Sequence, residues 1–270
     1  MSPQIIGLSD WLATPPGRYL LAWEAAQYER AVTDVFGYHA LQLGLPELDA
    51  LHGNRMPHRW CAGNAWPAPS GSEASPLAAA RPRMALLADS AALPFPENSL
   101  DLVLLPHTLE LSADPHATLR EVERVLLPEG RVIITCFNRA SLWGLRQRRA
   151  RLYQRLGFGE LYLPESGEFL GYWRLRDWLR LLSFEVESGV FGCYRPALRS
   201  EQWLGRFGWM DRVGARWWPI LGSVYFVVAV KRVRGMRLLG PVWKKQKALA
   251  SAPVSVANQV RQNESSHEHH

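Results

Sequence analysis

The chain has 270 residues, 47% of them apolar, and a net charge of +6. That is enough for one large α/β domain that buries a core without staples. Cys61, Cys136 and Cys193 form no CxxC pair and no even-numbered framework, so a disulfide scaffold is excluded, a zinc site is unsupported, and a reducing cytoplasmic setting is expected. The charge is divided: residues 1–137 carry 9 Lys+Arg against 15 Asp+Glu, and residues 138–270 carry 22 against 10. A basic second half suits an anionic partner (a nucleic acid, an anionic membrane surface, or a phosphate- or carboxylate-bearing substrate) and equally suits plain solvated helix faces.

Residues 1–11 carry no secretory signal pattern. Pro15-Pro16-Gly17 precedes an expected helix whose stripe is Leu21, Ala25, Tyr28, Val32 and Val35, ended by Phe36-Gly37. This N-terminal helical segment, 1–36, leads into the main domain, 37–235. "YHALQLG" reads as a strand, and "PELDALHG" as a helix with Pro46 in its first turn and Gly53 at its end. "HRWCAGNAW" reads as a strand and "PAPSGSEASP" as a loop. "RMALLAD" and "LDLVLLP" are strands. Asp114 is the expected cap of a helix with Pro115 in its first turn and Leu119, Val122, Val125 and Leu126 on its buried face. Pro128-Glu129-Gly130 closes it, and "RVIITCF" is the next strand. Strands and helices alternate, and the strands are of the fully buried kind, which predicts a doubly wound, mostly parallel sheet.

After Phe137 the chain turns basic and aromatic, with 8 of the 12 tryptophans at or beyond Trp143. "RASLWGLRQRRARLYQRLGF" and "RLRDWLRLLSF" read as helices, "EVESGVFGCY" and "SVYFVVAVKR" as strands. An Arg- and Trp-rich insertion, about 195–218, separates those strands. The run Pro219 to Val230 is shorter than the roughly 18–20 residues of a spanning helix, so no transmembrane segment is expected. Residues 236–270 read as a basic, then polar, mobile tail, and its terminal histidines are not read as a metal site.

The run Ala85 to Asn138, "ALLADSAALPFPENSLDLVLLPHTLELSADPHATLREVERVLLPEGRVIITCFN", resembles the central block of class I S-adenosylmethionine-dependent methyltransferases of the type 11 domain family. Asp89 stands where a strand ends in Asp. Leu93-Pro94-Phe95, Ser99-Leu100-Asp101 and Glu121 to Leu126 follow in the family's order. The resemblance implies a seven-stranded Rossmann-like sheet with an antiparallel last strand, and S-adenosyl-L-methionine as cofactor. It implies that Asp89 meets the adenine amino group, that Ser90 and Ala91 contribute backbone contacts, and that Leu93 lines the apolar side of the slot. Asp89 is also a residue type that orders a turn. Asp101 is expected to order a turn, and Glu121 with Arg124 to form a structural ion pair.

The glycine-rich turn of the family is altered. In "QLGLPEL", Gly44 takes the first glycine place and Gln42 replaces the acidic residue, while Pro46 and Leu48 replace later glycines. Gln42 and Gly44 are nonetheless the cofactor-binding candidates there. The ribose-binding acid is not evident after the second strand, with Glu73 as a remote candidate. His107, just past the fourth strand, is placed to contact the cofactor and to act as a catalytic base. A histidine merely bonded to its loop is the alternative, with Glu110 orienting the ring if that segment is helical. Trp217-Trp218 and Trp173/Trp178 are candidate walls or lids of an acceptor pocket. Two function classes follow: a methyltransferase acting on a small, anionic or lipophilic acceptor, or a silent methyltransferase-like module binding a protein, RNA or membrane through its basic half.

Overall fold

The structure is a computed structural model and describes residues 7–64, 84–155, 161–163 and 169–232. Glu73, the 67–76 loop and the tail from 236 lie outside the described residues. Seven strands form one sheet: β1 (His39–Leu43), β2 (His58–Gly63), β3 (Met84–Leu87), β4 (Leu100–Pro106), β5 (Leu126–Phe137), β6 (Phe184–Gly192) and β7 (Val224–Lys231), in the order β3-β2-β1-β4-β5-β7-β6. Strands β1 to β5 pair in parallel, and β7 runs antiparallel to both β5 and β6. The doubly wound, mostly parallel sheet with an antiparallel last strand is therefore present as expected.

Alternate side chains of β4 divide between two cores. Leu102 and Leu104 face one side, Val103 and Leu105 the other, and all four are fully buried. The first side is covered by α1 (Leu8–Leu12) and α2 (Pro15–Thr33), whose Leu20, Tyr28 and Val32 join the strands in one core. The prolines sit inside the first turn of α2 rather than ahead of it, where a missing N–H is tolerated. The second side is covered by α4 (Pro115–Val125) and α6 (Tyr172–Leu181), which insert Leu119, Val122, Leu175 and Leu179. A short helix, α3 (Thr108–Leu111), joins β4 to α4, and a basic helix, α5 (Leu142–Arg155), follows β5. The insertion between β6 and β7 folds into α7 (Glu201–Arg206), α8 (Trp209–Trp217) and a single 3-10 turn, Pro219–Leu221.

Several local readings hold in atomic detail. Asp114 caps α4 by accepting hydrogen bonds from the backbone N–H of Ala117 and His116. Asp101, expected to order its own turn, instead accepts from the backbone N–H of the distant Tyr38 and His39, both at 2.9 Å, and so anchors the start of β1. Arg124 pairs with Glu121 at 2.6 Å, and its guanidinium also donates to the carbonyls of Leu93 and Phe95.

One expected element is absent. "PELDALHG" forms a series of turns, not a helix. Leu45 adopts φ 45°, outside helical space, so the chain leaves β1 through a left-handed step. The Gln42 side chain then fills the space below. Its amide donates to the Leu48 carbonyl at 2.7 Å and the Leu45 carbonyl at 3.1 Å, and accepts from the Ala50 N–H at 3.0 Å. These bonds offer the backbone partners that a helix would otherwise supply. Leu48 and Leu51 complete the turn by burying in the α2-side core.

Candidate active site

The carboxyl ends of β1 to β4 lie together because parallel strands end on one edge, which is where open α/β sheets place their ligands. A cleft of about 600 Å³ opens there. Leu43 and Gly44 from β1, Ala62 to Asn64 from β2, Leu87 to Ala91 from β3, and Thr108 with 111–114 after β4 line it. Gly44 adopts φ 76°, and a Cβ at this position would stand 3.2 Å from the Thr108 hydroxyl. Glycine is thus favoured twice: the left-handed backbone strains a residue with a Cβ, and Thr108 would have to give by a few tenths of an ångström. The Gly44 N–H donates to the Ala62 carbonyl at 2.7 Å, and the Thr108 hydroxyl donates to the Leu43 carbonyl at 2.5 Å. Three strand ends are locked together at the floor.

Of the residues read from the sequence, Gly44, Asp89, Ser90 and Ala91 line this cleft. Asp89 is exposed, and one carboxylate oxygen accepts from the Ala91 N–H at 2.9 Å, so it orders the turn after β3 as well as facing the cleft. Ser90 shares a hydroxyl chain with Thr118 and Ser112, at 3.1 and 2.8 Å, which ties the β3 turn to the far lip. Asp114, on the same lip, has its carboxyl held below the usual range, chiefly by the Ala117 N–H and then by that of His116.

Three expected contacts fall elsewhere. Gln42 is fully buried, with both ends of its amide engaged in the turn beneath the cleft, so it presents nothing to a ligand. Leu93 packs in the α4-side core and does not line this cleft, and its N–H donates to Glu121 at 2.8 Å. His107 does not line the cleft. It is fully buried in the left-handed conformation, φ 53°, with Nε2 at 2.7 Å from Glu24 and Nδ1 at 2.8 Å from Glu110.

That cluster has an unusual charge balance. Burial alone would lower the His107 pKa, but the Glu24 and Glu110 carboxylates outweigh it and raise the value to about 10. Burial pushes the Glu110 carboxyl up, partly offset by His107 and by the Phe137 N–H that it accepts. The imidazolium donates to a carboxylate from each nitrogen and has no lone pair left, so it is not a base at neutral pH. The expected helical turn is real, and Glu110 does orient the ring from α3. Glu24, on α2, was invisible as its partner.

Thr108, Ser112 and Asn64 line the cleft without having been read from the sequence. Asn64 was detectable as the first residue beyond β2, at the same edge as Asp89. The tryptophan pairs do not wall this cleft: Trp217, Trp218 and Trp173 are each more than half exposed, and Trp178 packs edge-on against His116. No group of residues suited to hold a metal ion occurs among the described residues, and none of their helices is long and apolar enough to cross a membrane.

Residues 70–134 match the family model of a methyltransferase domain. The chain is 32% identical over 174 residues to an uncharacterized Escherichia coli protein, YafS, a match covering 64% of this chain and 66% of YafS. It is 41% identical over 66 residues to malonyl-[acyl-carrier protein] O-methyltransferase of Halorhodospira halophila, covering 24% of this chain and 22% of that one. The chain thus spans slightly under two thirds of the first relative and about a fifth of the second. Among solved structures it shares the fold of an S-adenosylmethionine-dependent methyltransferase from Thermotoga maritima, with a TM-score of 0.52 at 15% identity over 79% of this chain and 93% of that one.

Proposed function

We propose that this chain, which belongs with the class I S-adenosylmethionine-dependent methyltransferases by its matched domain and its fold, transfers a methyl group from S-adenosylmethionine to a small acceptor. The observation that carries the reading is the cleft at the ends of β1 to β4, with Gly44 on its floor and Asp89 on its rim. The residues present fit the cofactor. About 600 Å³ is in the range of small-molecule sites, and the close approach at Gly44 is a cradle that a Cβ would fill.

When bound, S-adenosylmethionine supplies an already activated methyl on a sulfonium, for in-line displacement. The protein's task is then to bind, align and exclude water. Gly44 lets the backbone approach the ligand. Asn64 offers an amide that donates and accepts where the family's ribose-binding acid is missing. Asp89 offers an acceptor oxygen, Ser90 and Ala91 their backbone, and Leu87 an apolar wall. His107 is not the proton acceptor in this reading. It holds α2 against the end of β4, so a proton on the acceptor passes to solvent or to another side chain. The acceptor class we favour is small and anionic or lipophilic, because the chain's second half is basic and rich in tryptophan, and the three unpaired cysteines suit a cytoplasmic setting.

A silent binding module is the second reading. The Gln42-held turn favours it, because no helix N-terminus follows Gly44 to receive a carboxylate. Calorimetry with S-adenosylmethionine and S-adenosylhomocysteine separates the two. Activity requires binding of both, and no heat at millimolar cofactor would sink it. Asp89→Ala is expected to weaken binding by about 1–3 kcal/mol, and unchanged affinity would remove Asp89 from the site.

A further inference from the structure

Helix α8 is anchored on one side only. The Asp211 carboxylate accepts from the Tyr19 hydroxyl, from Arg195 Nε at 2.9 Å and from the Tyr194 N–H at 3.3 Å. Gly214 lies so close to the Tyr194 ring that a Cβ would meet it at 2.4 Å. Helical spacing puts Trp209, Arg212 and Arg216 on the opposite face, with Trp217 at its edge. All four are exposed, and Trp218 and Ile220 extend the apolar part beyond the helix end. Neither Arg212 nor Arg216 forms an ion pair among the described residues, while the one acid of the helix, Asp211, is turned inward.

A second helix carries a face of the same kind. On α5, Leu145 and Leu152 are more than half exposed, and Arg149 lies between them on the same side. Helix α5 is fixed to the segment leading into α7 by the Trp143 indole, which donates to the Arg195 carbonyl at 2.8 Å. The Arg146 guanidinium also donates to the Ala197 carbonyl. Both helices are therefore tied to one connecting segment, and both carry arginine beside projecting apolar side chains.

We propose that these faces, led by Trp209, Arg212, Arg216, Trp217, Trp218 and Ile220, dock the protein on the surface of an anionic lipid bilayer. Tryptophan indoles settle at the level of lipid headgroups, and arginines meet the anionic phosphates there. The aliphatic side chains decide between lipid and RNA. Bases stack on aromatic faces, and exposed Ile220, Leu145 and Leu152 offer nothing to stack on, whereas acyl chains accept them. The proposal goes beyond the methyl-transfer reading and needs no cofactor.

The test is co-sedimentation of the full chain, without cofactor, with vesicles of phosphatidylcholine alone or mixed with phosphatidylglycerol. Weak binding is expected to phosphatidylcholine alone and stronger binding to the mixed vesicles, the difference falling with salt. R212Q/R216Q is expected to weaken binding about tenfold on mixed vesicles while leaving neutral vesicles unaffected. W209S/W217S/W218S should reduce retention on both. Circular dichroism and cooperative thermal unfolding verify that the variants fold. Should the tryptophan variant fail to fold, quenching of the wild-type indole fluorescence by brominated acyl chains takes its place. No retention on mixed vesicles at low salt, equal retention of a folded R212Q/R216Q variant, or absence of quenching would overturn the proposal. So would retention of single-stranded RNA with vesicles ignored, which would reassign the surface to nucleic acid.

Discussion

His107 Nε2 and the Glu24 carboxylate lie 2.7 Å apart although the residues are 83 positions apart in sequence. The bond ties α2 to the end of β4, at the edge where the cleft opens. It is one half of a buried cluster in which a single imidazolium serves two carboxylates, and the second Glu24 oxygen has no hydrogen-bond partner among the described residues. Removing the imidazolium leaves two buried acids facing each other without a counter-charge. His107→Asn is therefore expected to cost about 3–5 kcal/mol, the scale for breaking a buried pair. Denaturant unfolding measures it, and a loss below that of an ordinary core polar substitution would mean that the cluster is not charged.

The same cluster sets a pH dependence. The folded-state pKa of His107 is raised to about 10 from a usual value of 6.5. A raised value means that the folded state binds the proton more tightly, so the stabilisation is complete below about 6.5 and declines as pH rises through about 10. The raised Glu110 carboxyl acts with the same sign, from a lower starting pH. Thermal unfolding from pH 6 to pH 10 should show a falling midpoint in the wild type, and a flatter profile in His107→Asn. Parallel profiles would show that another group controls the alkaline limb.

Gln42 makes a sharper test of the altered turn. Its amide meets the Leu48 carbonyl and the Ala50 N–H inside the core, and a leucine of similar size would leave both unpaired. Gln42→Leu is expected to lose about 1–3 kcal/mol of stability. If the turn supports the cleft floor, cofactor affinity falls as well. Gln42→Glu keeps the acceptor for Ala50 but points a carboxylate at the Leu48 carbonyl, so it should not rescue stability. A variant as stable as wild type would show that the turn holds through Leu48 and Leu51 packing alone.

How far these features were legible follows from the range of each signal. The central strands were readable because fully buried strands are continuous apolar runs, as in Leu102 to Pro106, whereas the edge strands β3 and β6 are partly or largely exposed. The α4 cap was readable because Asp114 and the N–H groups it accepts from are two and three residues apart. Asp89 and Gly44 could be placed in one cleft because the strands they end are parallel. The Glu24–His107–Glu110 cluster was half readable, since Glu110 is local and Glu24 comes from another element. The "PELDALHG" reading failed because proline and leucine spacing describe a helix, while the left-handed Leu45 and the Gln42 amide decide otherwise. So short a segment cannot nucleate a helix against such competition.

Gly44 carries the final prediction. Its φ of 76° is strained for any residue with a Cβ, by about 1–2 kcal/mol. The new methyl would also press on the Thr108 hydroxyl, 3.2 Å away, which already bonds the Leu43 carbonyl. Gly44→Ala should thus destabilise the fold modestly and reduce cofactor binding more, because relief of strain moves the floor of the cleft. The double variant Gly44→Ala/Thr108→Ala removes the hydroxyl that the new methyl would meet, and Thr108→Ala alone gives the baseline for the lost bond to the Leu43 carbonyl. If crowding matters beyond φ, the pair will be non-additive in calorimetry with S-adenosylhomocysteine, the double losing less than the sum of the singles. Additive losses would assign the whole effect to the left-handed backbone. Unaltered binding in Gly44→Ala would separate β1 from the cofactor site altogether.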